Sequence, residues 1–128
     1  MASAAWSDPD LRDQGERNRR EVVARLLAAG APLAIGTDSD AGDQLPATAI
    51  HDELAAMAEA GLTPAQVLRL ATVGGANLLG VGDETGTVTV GKRADLLLLP
   101  CDPAVDLACL REPQMIVARG RIVPLRDD

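Results

Sequence analysis

Pro32-Leu33-Ala34-Ile35-Gly36-Thr37-Asp38-Ser39-Asp40 holds a short apolar run, Leu33 to Gly36, that passes into a polar cluster reaching Asp43. The run does not alternate between apolar and polar residues, which predicts a strand covered on both faces, as in a parallel sheet. Upstream, Val22, Val23, Leu26 and Leu27 recur at helical spacing between Glu16 and Ala29, and Gly30 followed by Pro32 supplies a stop. Helix, tight connection, apolar strand and polar loop, in that order, make an α/β unit. Asp38 then falls just past the C-terminal end of a buried strand, where α/β barrels gather their chemistry.

Further along, a helix is expected from about Ala49 to Ala60, with Ile50, Leu54 and Met57 on its inner face. Gly61 reads as the residue that closes it, with Leu62 folding back on Met57. Thr63, Pro64 and Gln66 form the start signal of the next helix, a capping box with proline in the first turn. Gly74 and Gly75 weaken or bend the chain after it, and a short last helix ends before Gly80. Beyond Gly80 the pattern turns to short strands between glycines: Thr87 to Val90, Ala94 to Leu99, Met115 to Ala118 and Arg121 to Val123. Residues 1–14, with Ser7, Asp8, Pro9 and Asp10, read as an arm or loop, 15–81 as an α/β segment and 82–128 as a β segment.

The 128 residues, 47% hydrophobic, are enough for one compact core but not for a whole (β/α)8 barrel, which takes about 250. There is no Phe or Tyr and only Trp6, so Leu, Val, Ile and Ala must fill that core. Twelve basic against nineteen acidic side chains, a net −7, argue against a nucleic-acid partner. Arg17, Arg19, Arg20 and Arg25 alternate with Glu16 and Glu21, the pattern of a solvated helix face. The longest aliphatic run, Leu96 to Leu99, is too short for a bilayer, and no signal-peptide pattern opens the chain, so no membrane partner is expected and the chain reads as cytoplasmic. Cys101 and Cys109, eight positions apart without a Cys-x-x-Cys pair or a nearby histidine, read as two free thiols.

A carboxylate fixed at a strand end can bind a metal or take a proton, which makes Asp38 the candidate catalytic and metal-binding residue. Asp38, Asp40 and Asp43 do not form a calcium loop. Counting from Asp38, the sixth residue is Asp43 where glycine is needed and the twelfth is Ala49 where glutamate is needed. His51, the only histidine, cannot build a zinc site alone, and nothing favours a triad with Ser3, Ser7 or Ser39. The glycine-rich stretch has no Gly-Lys-Ser/Thr ending, and Gly91-Lys92-Arg93 leads into a strand, so a turn is expected there instead of a phosphate loop.

In order along the chain stand Ala34-Ile35-Gly36-Thr37-Asp38, His51-Asp52-Glu53-Leu54, Ala60-Gly61-Leu62-Thr63-Pro64, Ala71-Thr72, Gly91-Lys92-Arg93-Ala94-Asp95-Leu96, Val117 and Gly120-Arg121-Ile122-Val123. This succession resembles the C-terminal third of the amidohydrolase superfamily, nearest its imidazolonepropionase-like and prolidase-like members, from about Glu21 to Val123. The resemblance implies the last strand and flanking helices of a (β/α)8 TIM barrel plus part of a small β-sandwich. It also implies hydrolysis of a small-molecule amide or other C–N bond with one or two divalent metals, commonly zinc.

Within that resemblance Asp38 matches the aspartate after the eighth strand, which ligates metal and shuttles the proton. Asp95 matches a structural position in the sandwich, and His51 fits a common position without being a metal ligand. The family's His-x-His pair, its lysine or glutamate bridge and its two later histidines have no counterpart here. The isolated chain is therefore expected to hold no catalytic metal, to need the N-terminal barrel portion as a partner, and otherwise to self-associate. The alternative is a non-catalytic remnant or interaction module derived from such an enzyme.

Overall fold

The computed structural model describes residues 9–37 and 46–125. Helix α1 spans Pro9–Ala28, α2 Pro46–Glu59 and α3 Pro64–Arg69. A π-helical turn, Leu70–Gly74, joins α3 to α4, Gly75–Leu78. Three strands follow, β1 Leu96–Leu98, β2 Met115–Ala118 and β3 Arg121–Val123, with a 3-10 helix, Leu107–Arg111, between β1 and β2. The sheet is antiparallel in the order β1-β2-β3, with Leu97 opposite Ile116 and Val117 opposite Ile122.

The helix ends are decided locally. The Gly61 amide donates to Ala58 O at 2.9 Å and the Leu62 amide to Met57 O at 3.3 Å, the two bonds of a Schellman motif, with Gly61 at φ 102°, a conformation costly for a residue with a Cβ. The same pair of bonds closes α1 at Gly30 and α4 at Gly80. At the start of α3, Thr63 Oγ1 accepts the Gln66 amide at 3.3 Å and Gln66 Oε1 accepts the Thr63 amide at 2.8 Å, the reciprocal capping box. The expected bend at the glycine pair takes the form of the π turn, in which the Gly75 amide reaches back to Leu70 O.

The core is small. Leu54, Leu62 and Val67 are buried, and Val23 and Leu27 of α1, Ile35, and Leu107 and Leu110 of the 3-10 helix pack against them.

Four expectations are corrected. The helix expected from Glu16 begins at Pro9, so residues 9–14 are helical and not an arm; proline suits a first turn and Asp10 favours a helix N-terminus. Leu33 to Gly36 is no strand, because a strand exists by pairing and the segment has no sheet neighbour among the described residues. Thr87 to Val90 is likewise unpaired, with Val88 and Val90 fully in solvent. Cys101 and Cys109 are joined in a disulfide and are not free thiols: the turn over 102–106 brings their Cα atoms to 5.7 Å, within bonding geometry.

Candidate functional site

The segment that leads to Asp38 is held at two points. A Cβ built on Gly74 would stand 2.9 Å from Leu33 O and 3.2 Å from Arg69 O, so the π turn accepts Leu33 only because residue 74 lacks a side chain. Two residues on, Ile35 packs against the core of Leu54, Leu62 and Val67. Asp38 lies outside the described residues, as do Ser39, Asp40 and Asp43. The described chain thus carries the segment, anchored at Leu33 and Ile35, to Thr37, the residue before Asp38.

His51 is half-buried on α2 and lines a pocket of about 350 Å3 between α2 and the 3-10 helix, together with Leu54, Glu59, Leu107 and Arg111. Its neighbour Asp52 meets Arg111 at 3.3 Å, an exposed ion pair of small energetic weight. Glu53 turns to a different hollow, a cleft of about 530 Å3 between α1 and α2 that Arg20 and Met57 also line. Arg20 pairs with Glu59 at 2.8 Å across that cleft.

Asp95 organises the sheet. Arg119 and Gly120 form a two-residue hairpin turn with φ 51° and 75°, the left-handed pair of a type I′ turn, and Arg119 is the one non-glycine residue described in that conformation. Asp95 Oδ1 accepts the Arg119 amide at 2.7 Å, and Oδ2 accepts Arg93 Nε at 2.5 Å. The Arg119 amide first, and the Arg93 guanidinium second, hold the Asp95 carboxyl below the usual carboxylate range. The same contact raises Arg93. Lys92 Nζ donates to Gly82 O at 2.6 Å, and the Arg93 amide to Glu84 O at 2.8 Å, so Gly91-Lys92-Arg93-Ala94-Asp95 ties the loop after α4 to the hairpin. This stretch is a structural clip, as a turn reading of it requires.

Among the described residues, no three His, Cys, Asp or Glu side chains stand together as a metal site. Nor is any helix among them long and apolar enough to cross a membrane. Two features escaped the sequence reading: the close approach of Leu33 to Gly74, and the disulfide. The glycine pair was a visible signal for the first, whereas an eight-residue cysteine spacing without a repeat gave none for the second.

The model of the amidohydrolase family matches residues 9–123. The chain belongs to the amidohydrolase family. It is 40% identical over 83 residues to the 5-methylthioadenosine/S-adenosylhomocysteine deaminase of Desulforudis audaxviator, a match covering 59% of this chain and 19% of that protein. It is 39% identical over 84 residues to the imidazolonepropionase of Streptomyces griseus, covering 66% of this chain and 21% of that one. Among solved structures, a Xaa-Pro dipeptidase with bound methionine in its active site superposes with a TM-score of 0.72 at 27% identity, covering 81% of this chain and 25% of that one. This amidohydrolase chain spans about a fifth of the length of those two curated relatives.

Proposed function

We propose that this chain is the C-terminal portion of a metal-dependent amidohydrolase that hydrolyses C–N bonds of small amides or dipeptides, and that it is no catalyst by itself. The observation that carries the reading is the bare apolar surface of the sheet. Successive strand residues point to opposite faces, and Leu96, Leu97 and Leu98 stand 38%, 49% and 55% exposed. A sheet with leucine on both faces needs cover on both. The relatives that match this chain are about three times its length and can supply it.

In this reading residues 15–81 are the end of a TIM barrel, 82–128 part of a β-sandwich, and the remaining barrel strands are the partner. In this reading the chain brings too few donors for a catalytic metal alone, since zinc catalysis normally takes three protein ligands and the sequence holds a single histidine. Asp38 is the single side chain we assign to that centre, as ligand and proton acceptor, with zinc the expected divalent metal and the cytoplasm the expected compartment.

A chimera tests this, in which residues 21–123 replace the matching segment of the Streptomyces griseus imidazolonepropionase. Turnover of that enzyme's substrate is expected, and Asp38→Asn should lower it about 100- to 10,000-fold at equal metal loading, the range for loss of general acid/base work. Asp40→Asn and Asp43→Asn should change it far less. Near-wild-type turnover for Asp38→Asn would refute the site, and turnover by the isolated chain would refute its incompleteness.

A further inference from the structure

Cys101 and Cys109 differ in their surroundings. Cys101 is exposed, three residues beyond β1, whereas Cys109 is 4% exposed within the 3-10 helix. The turn between them is built by short bonds: Asp102 Oδ1 accepts the Ala104 amide at 2.9 Å, and Asp106 Oδ1 accepts the Ala108 amide at 2.9 Å and caps the helix. That helix carries Leu107 and Leu110 to the core and Arg111 to Asp52 of α2. It also forms one wall of the pocket that His51 and Leu54 line from the other side. A five-residue 3-10 helix has poor intrinsic stability, so what holds its two ends matters.

We propose that Cys101–Cys109 is a thiol–disulfide exchange site whose oxidised form clasps the 3-10 helix, which packs on α2, to the turn after β1, and whose reduction releases it. Access decides the direction of attack. The thiolate of an external dithiol reaches Cys101 Sγ, forms a mixed disulfide there and expels Cys109 Sγ as a thiolate, which takes up a proton. The second sulfur of the dithiol then displaces Cys101. The protein disulfide has gained two electrons and two protons, and the dithiol has become a disulfide. Because Cys109 leaves from a buried site, where a thiolate is poorly solvated, release is slow compared with exposed disulfides. Reducing compartments favour the open form and oxidising ones the clasp.

The test uses the 128-residue chain. After equilibration with glutathione disulfide, native alkylation read by mass spectrometry should find no reactive thiol, and after dithiothreitol two. A brief exposure to reduced glutathione should leave its adduct on Cys101. Amide hydrogen exchange over Leu107–Arg111 should quicken about tenfold or more on reduction, as expected when a short closed loop is opened, while Val67 stays protected. Reduction of the unaltered chain avoids the folding risk of a substitution. As a second handle, Cys109→Ser should leave Cys101 labelled at the rate of an exposed thiol. Two free thiols after oxidation, an adduct that appears first on Cys109, or identical exchange in both redox forms would each overturn the proposal.

Discussion

α2 and α3 meet through Leu54, Leu62 and Val67, which are 5%, 6% and 0% exposed, and their ends are closed by a Schellman motif and a capping box. The sheet from Leu96 to Val123 pairs its backbone equally well but leaves Leu97, Leu98 and Ile122 at 49%, 55% and 67% exposure. Backbone pairing and side-chain burial are thus separable in this chain. The contact of α2 with α3 has both, while the sheet has the first and lacks the second. The contrast teaches where stability resides, because hydrophobic burial and not hydrogen bonding is the dominant favourable contribution to folding.

The largest effect expected comes from that contrast. Leu54→Ala should cost about 2–5 kcal/mol, the range for emptying a packed leucine site, whereas Leu97→Ala on the bare sheet should stay within about 0.5 kcal/mol. Urea unfolding of the two variants decides it, and equal losses would erase the contrast. In the chimera with imidazolonepropionase the sheet should be covered, and Leu97→Ala should then cost as much as a core change.

A middle-sized effect sits where the two halves of the α/β segment touch. Gly74→Ala drives a Cβ into two backbone carbonyls, and overpacking of this kind costs about 1–3 kcal/mol. Gly15→Ala, in open space inside α1, should instead stabilise by about 0.5–1 kcal/mol. Thermal melts of both, with amide shifts over Leu33 to Thr37, separate a real contact from a loose one; a neutral Gly74→Ala would mean that the segment before Asp38 does not rest on the π turn.

The smallest effect belongs to the clip in the sheet. The folded carboxyl of Asp95 titrates below its unfolded value, about 3.9, so its contribution is fully present above that value and is lost as pH falls through the lower, folded one. An acid titration followed by the Arg119 amide resonance should therefore move only in the most acidic range, and Asp95→Ala should abolish the movement. A midpoint at or above the ordinary Asp value would contradict the hydrogen-bonded geometry.

Much is legible in the sequence because much is local. Thr63, Pro64 and Gln66 announce a helix start within four residues, Gly61 and Leu62 a helix end, and the strands at Met115 and Arg121 begin and end where the β-rich runs do. Family membership is legible for a related reason, since an ordered series of short motifs survives without its neighbours. Asp38 itself stands out by its place after the apolar run, and the described residues stop one short of it.

What the sequence by itself determined about this protein is its helix caps, its hairpin and its family, each set by interactions that span a few residues. Only the tertiary structure decided the rest. It left Leu33 to Gly36 without strand partners among the described residues, set Leu33 against Gly74, aimed Asp95 at the amide of Arg119, and brought Cys101 to Cys109. Apolar composition says that a residue wants cover, but which surface supplies it depends on chain segments far apart, and sequence spacing does not encode that distance.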